Sequence, residues 1–462
     1  MTRDSRALSL TELAAAYRAG STTPTEVVDA YLAEIRSGPV WRVACQARAR
    51  RQARRAQRAF EAGVDLGPLQ GVPLALKDLI DMEGEVSAAG SAALLGEGRI
   101  ASQDAPVVAR LDAVGAVLLG RTQLTELAFS GLGINPHFGT PGGVHDPERV
   151  PGGSSSGSAV AVASRQACAA LGSDTGGSVR IPAAFQGLVG LKTSEGSLPM
   201  EGTVPLSTTL DTIGPIARTL EDAWALWRAL RAQAPAPYPE AAGRLRLFAP
   251  TTVLQDDLDP EVADAFDQAL AALEAAGHEL IRGELPTLAE VAGLYPRYGS
   301  FAAHEANALH GELLARARPP VDPRVASRIL AVSERPSSDY LRLHYARKRL
   351  VASFWDEVRD VDAILAPSVA IRAPKIAELE ADDEAYRRAN GAVLRNTTIF
   401  NLLAGPAVTL PIGPPQRGIG GMVATAPGRE AHAMAVSARW REALAPTGPR
   451  RPPDQAAREY GS

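Results

Sequence analysis

The feature that most constrains this chain is a series of short apolar runs, starting after Gly67, in which strand-like and helix-like segments take turns. They occupy residues 72–76, 105–114, 116–119, 159–163 and 167–171. That rhythm predicts α/β layering, a sheet with helices packed on it. At 462 residues and 45% hydrophobic content the chain has ample material for a large core, so disorder is not expected over most of it. No internal repeat appears, and no Gly/Ser/Pro stretch is long enough to separate independent domains. The expectation is one large domain over 1–443 and a loose tail over 444–462, where proline, arginine and polar residues offer too little apolar area to order themselves.

Two helix starts precede the alternating region. Ser9-Leu10-Thr11-Glu12 and Thr23-Pro24-Thr25-Glu26 each place a hydroxyl three residues before a glutamate, the pattern of a capping box. Val27, Val28, Tyr31, Leu32 and Ile35 then repeat at helical spacing, which predicts a docked N-terminal helical pair. A mostly helical middle section is expected at about 259–361. One helix starts at Asp259-Pro260-Glu261 and stops at Gly277, and another covers 339–354. Strand returns at 363–366, and 401–411 reads as a second strand-rich stretch.

Charge and cysteine content exclude several classes of function. A formal net charge of −4 argues against a nucleic-acid partner. The one basic run, Arg48, Arg50, Arg51, Arg54, Arg55 and Arg58, has helical spacing without stacking aromatics and reads as a solvated helix face. Cys45 and Cys168 are too few for a disulfide framework, and neither they nor the scattered histidines show metal-ligand spacing. No metal and no cofactor are expected. The first twenty residues mix acidic and basic side chains without the apolar stretch of a signal peptide, and no later segment has the length of a membrane span. The cytoplasm is the expected location, with no membrane partner.

Three islands carry chemistry. The first, Gly71 to Asp78, ends an apolar run at Lys77. A lysine there reads either as a strand-end charge that reaches solvent or pairs with Asp78, or as an ammonium held in apolar surroundings whose lost solvation makes it a competent base. The second, Pro151-Gly152-Gly153-Ser154-Ser155-Ser156-Gly157-Ser158, has linker composition, but the apolar 159–163 run directly after it makes it a turn feeding a helix. A phosphate-binding loop would need a Gly-Lys-Ser/Thr ending that is missing. The third island, Gly172 to Arg180, sits at a strand-to-helix turn, where Thr175, Gly176, Gly177 and Ser178 can aim successive backbone N–H groups at one point. Such a nest stabilises an oxyanion, with Ser178 as the nucleophile beside it; an ordinary tight turn is the other reading.

In residue type, order and spacing, the three islands together resemble the amidase signature family. Gly67-Pro68-Leu69-Gln70-Gly71-Val72-Pro73, Leu188-Val189-Gly190-Leu191-Lys192 and the segment from Leu210 to Arg218 extend the likeness through the first half. The second half carries it more thinly, at residues 363–367 and 400–402. The resemblance implies a single α/β domain with a mixed central β-sheet covered by α-helices and catalytic loops at one edge. It makes Ser178 the acylated nucleophile, Ser154 a bridging hydroxyl after a cis peptide bond, and Lys77 the base. Thr175, Gly176 and Gly177 become the oxyanion hole, while Ser155, Asp174 and Arg180 brace the loop. By the same analogy Phe129, Ser130 and Gly131 line the acyl pocket. The implied partner is a small-molecule amide, and a homodimer is allowed. Three other readings stay open: the glutaminase subunit of a tRNA-dependent amidotransferase, a ureide hydrolase of the allophanate or biuret type, and a non-catalytic binding module.

Overall fold

In the computed structural model, which describes residues 4–36, 38–318 and 320–445, the alternating runs become alternating elements. After a first strand β1 (Trp41–Ala44), the chain forms β2 (Pro73–Lys77), the Pro106–Ala113 helix, β3 (Val117–Thr122), the Ser156–Ala163 helix and β4 (Ala169–Asp174). The 105–114 run is helical because Pro106 occupies its first turn and Val107, Val108 and Leu111 recur on one buried face. Strands β2, β3 and β4 are buried along their whole length, as parallel strands covered on both faces must be. β2 pairs in parallel with both β3 and β4.

The remaining strands are β5 (Val189–Lys192), β6 (Thr212–Ala217), β7 (Arg246–Pro250), β8 (Glu279–Gly283), β9 (Ala363–Pro367), β10 (Ala407–Pro411) and β11 (Gly420–Ala424). Among the described residues they join the first four in one 11-stranded sheet of order β1-β3-β2-β4-β6-β5-β10-β11-β9-β7-β8. Its pairings are parallel around β2 and β7 and antiparallel elsewhere, so the sheet is mixed, as expected. Helices Gln46–Glu61, Ser156–Ala163, Leu220–Leu230 and Glu430–Leu444 pack on it.

Both N-terminal helices, Leu10–Arg18 and Pro24–Glu34, carry the capping boxes read from the sequence. The arginine run lies on the Gln46–Glu61 helix, whose alanines are buried, and it is paired outward: Arg48 with Asp104, Arg50 with Asp29, Arg55 with Asp112. Both cysteines are free and buried. Among the described residues no helix is long and apolar enough to cross a membrane.

Two readings need correction and one an addition. The middle section is mostly helical, as expected, but it also holds β8, which among the described residues is an edge strand paired with β7 alone. In the 401–411 stretch, Asn401 and Leu402 instead close the Asp383–Leu402 helix, whose buried stripe runs on to Leu402 before Gly405 and Pro406 break it and β10 begins. The loops that carry the three islands, expected at one edge, gather over the carboxyl ends of β2 and β4, interior neighbours in the sheet, and not at its lateral edge, because parallel adjacent strands present their ends on the same side. Of the tail expected from 444, Leu444 closes the last helix and residues 446–462 lie outside the described residues.

Candidate active site

Lys77 is the last residue of β2, and the Leu76–Leu171 register brings it level with the end of β4. Its side chain is fully buried. Nζ lies 2.8 Å from Ser154 Oγ, 2.8 Å from Ser173 Oγ and 3.4 Å from the Ser173 carbonyl oxygen. Burial pushes the Lys77 ammonium down to about 7, against the opposing pull of the Asp211 and Asp174 charges. Asp78, the partner a strand-end lysine would take, lies 3.0 Å from Arg121 instead.

Ser154 reaches Lys77 from the glycine turn before the Ser156–Ala163 helix. The Gly153–Ser154 peptide is cis. Backbone bonds pin this turn on two sides: Gly153 N–H donates to the Gly131 carbonyl at 2.8 Å, and Thr125 N–H to the Ser154 carbonyl at 3.2 Å. Ser155 faces β4, its hydroxyl 3.4 Å from the Ser173 carbonyl and its N–H donating to the Ser178 carbonyl at 3.3 Å.

The Asp174 carboxylate organises the third island. It accepts from the N–H groups of Gly177 (2.9 Å) and Val179 (3.1 Å), from two guanidinium nitrogens of Arg180 and from the Asn401 amide. Burial alone would raise this carboxyl, but Arg180, Lys192 and Asn401 hold it down at about 2. Gly177 has φ +138° and would drive a Cβ into Thr397, so the turn requires glycine there. From the Asp383–Leu402 helix, Thr397 and Thr398 donate their hydroxyls to the Gly176 carbonyl at 2.6 and 3.1 Å. Thr175 Oγ1 donates to Asp211 at 2.5 Å.

This arrangement alters the oxyanion reading. The Gly177 N–H is committed to Asp174, whereas among the described residues the N–H groups of Thr175, Gly176 and Ser178 donate to no protein acceptor. Ser178 is only 4% exposed, so its hydroxyl is reached through a cavity of about 410 Å³ that Thr175, Gly176, Phe129 and Ser130 also line. The loop leading into Phe129 is tightly determined: Leu127 and Ala128 both adopt positive φ, held by N–H bonds to Ala89 and Thr125. Gly131 is not among the residues lining the cavity; its N–H donates to Asn390, and Val393 fills the place a Cβ would take. The far wall comes from the helices Leu294–Tyr298, Pro323–Leu330 and Asp383–Leu402.

The structure therefore brings Lys77, Ser154, Ser155, Asp174, Arg180, Thr175, Gly176 and Ser178 around one spot. It adds Ser173, Asp211, Thr397 and Asn401, which the sequence reading did not single out. Ser173 had one faint signal, its place two residues before Thr175 on the same strand end. The other three touch the site only through tertiary packing.

Comparison with known proteins adds an independent line. The family described as Amidase matches residues 26–434. A relative from Comamonas testosteroni, 2-amino-5-chloromuconic acid deaminase, is 40% identical over 372 residues, covering 79% of this chain and 80% of that protein. A glutamyl-tRNA(Gln) amidotransferase subunit from Akkermansia muciniphila is 35% identical over 391 residues, covering 76% of this chain and 81% of that one. Among solved structures, the crystal structure of an amidase superposes with a TM-score of 0.84 at 31% identity, over 94% of this chain and 99% of the other.

Proposed function

The chain belongs to the amidase family and is a C–N hydrolase, and from that premise we propose that it cleaves a carboxylic amide through an acyl-enzyme on Ser178. The observation that carries this reading is the buried amine of Lys77, brought down to about 7 and held 2.8 Å from the Ser154 hydroxyl. At neutral pH a large share of that amine is unprotonated and can accept a proton. Ser178 Oγ attacks the carbonyl carbon, its proton passes to Ser154 Oγ, and the Ser154 proton passes to Lys77 Nζ. The N–H groups of Thr175, Gly176 and Ser178 take the oxyanion; removing one comparable donor costs about 3 kcal/mol of transition-state stabilisation. Collapse breaks the C–N bond as the relay returns the proton to the leaving nitrogen. Water then attacks the acyl-enzyme and gives its proton to the same relay; the bond to Ser178 Oγ breaks as the relay returns that proton to Ser178, and the acid leaves, ionised to a carboxylate. Asp174, Arg180 and Ser155 hold the turn in shape, and Ser173 orients the lysine.

A fluorophosphonate probe tests the assignment. It is expected to label Ser178, and Ser178→Ala is expected to abolish both labelling and amide turnover. Labelling of a different serine in folded protein would overturn it.

The likeness to the glutamyl-tRNA(Gln) amidotransferase chain supports a second reading, a glutaminase that acts with partner chains. Against it, residues 333–343 lack the Gly-Thr-Tyr-like segment that marks such glutaminases. Glutamine-dependent ammonia release that appears only with co-purified partners would favour it. Hydrolysis of allophanate or biuret would place the enzyme among ureide hydrolases.

A further inference from the structure

Two arginines stand on the cavity that contains Ser178, and among the described residues neither forms an ion pair with a carboxylate. Arg328 comes from the Pro323–Leu330 helix. Its guanidinium lies 4.3 Å over the Phe129 ring, and Nη1 donates to the Phe129 carbonyl at 2.5 Å, which leaves most of its donors uncommitted. Arg395 comes from the Asp383–Leu402 helix. Its Nε donates to Asn396 at 2.9 Å, while Nη2 is buried without any partner. Asp256 and Asp257 act on it only from beyond ion-pair distance.

Arg395 is also well placed. Along its helix, residues 391, 394, 395, 398, 399 and 402 face the cavity at helical spacing. Thr398 touches the Gly176 carbonyl, and Arg395 lies about one helical turn before Thr398 on the same helix. Gly391, one turn further, leaves open space at the mouth. The rest of the cavity lining is largely apolar, with Phe129, Leu206, Tyr295, Leu394, Ile399 and Leu402.

We propose that Arg328 and Arg395 bind a carboxylate carried by the substrate, so that the amide presented to Ser178 is that of an organic acid; this rests on the amide hydrolase reading above. Both guanidinium groups are half-buried and without an ion-paired carboxylate, a costly arrangement that a ligand anion would relieve. A guanidinium fork matches a carboxylate in geometry as well as in charge. The apolar walls take the hydrocarbon between the acid and the amide. A cavity of about 410 Å³ suits a small molecule.

The test compares monoamides of linear dicarboxylic acids of four to eight carbons with uncharged alkanamides of matched length. The wild-type enzyme is expected to prefer the acids in kcat/KM, and Arg395→Met is expected to lower the acid-to-neutral ratio by about 10- to 100-fold, mostly through KM. Arg328→Lys keeps a cation and should lose less of the ratio than Arg328→Met. Calorimetry on Ser178→Ala separates binding from chemistry: the monoamide should bind, the alkanamide should not, and adding Arg395→Met should abolish the difference. Preference for alkanamides, or a ratio unmoved by both methionine variants, overturns the proposal while leaving Ser178 in place. If no serine is labelled and no amide is hydrolysed, the parent reading falls; acid binding to Ser178→Ala that depends on Arg395 would still support the arginine subsite, and its absence would end it.

Discussion

At the scale of single residues, the contrast between two buried lysines is instructive. Burial brings Lys77 and Lys192 alike down to about 7, helped at Lys192 by the Arg180 charge. Their partners tell them apart: Lys192 Nζ donates to the carbonyls of Thr193 and Gly405 at 2.8 and 2.9 Å and, among the described residues, to no hydroxyl. For the proposed mechanism, kcat/KM should rise tenfold per pH unit below about 7 and level off above it, because only the free amine accepts a proton. Lys192→Met should keep that inflection and Lys77→Met should lose the activity; an inflection displaced in Lys192→Met would assign it to the wrong lysine. Stability carries the opposite side of the linkage. Lys77 titrates lower in the folded chain than its ordinary 10.5, so between pH 7 and 10 the unfolded chain binds more protons and stability rises with pH. Melting temperatures across that window should climb less steeply in Lys77→Met. Lys77, Ser154 and Ser178 could be singled out in the sequence because each lies in a distinctive local island, and the family resemblance of the three islands together supplied their proposed roles. Ser173 and Asp211 were not, since a serine on a strand end and an acid in a loop are common until packing gives them partners.

At the scale of elements, the turn after β4 depends on one carboxylate. Asp174 satisfies backbone N–H groups that would otherwise be buried without acceptors, and it neutralises the fully buried Arg180. Asp174→Ala should therefore destabilise the fold by about 3–5 kcal/mol in urea denaturation, the cost of leaving a buried charge unpaired. It should also slow fluorophosphonate labelling; a loss below 1 kcal/mol would mean that the turn keeps its shape without the acid. Elements with a strong local pattern were readable. The two capping boxes, the Pro260 start and the strand runs near 72–76 and 167–171 all form as expected. Strand β8 and the Asp383–Leu402 helix end were misread because short apolar segments suit either period, and the neighbour they pack against decides.

At the scale of the whole molecule, the sheet ties distant parts of the chain together. The amide groups of Leu10 and Thr11 donate to the Asp222 carboxylate, 212 residues away from Leu10, so the Leu10–Arg18 helix is pinned by the Leu220–Leu230 helix, which follows all three islands in the chain. Asp222→Ala should cost about 1–3 kcal/mol for the orphaned donors, measured by chemical denaturation, while kcat/KM of the folded enzyme stays within about twofold. A large loss of activity at unchanged stability would show that this contact reaches the site. The sequence by itself determined the layered architecture, the positions of most elements and the three chemical islands, because periodicity, caps and turn residues act over a few neighbouring positions. Only the tertiary structure decided that β2 and β4 would lie side by side, that Gly177 would give its N–H to Asp174, and that Arg328 and Arg395 would share a cavity with no ion-paired carboxylate among the described residues. Those outcomes depend on strand order and desolvation, which arise from contacts between segments that carry no local trace of one another.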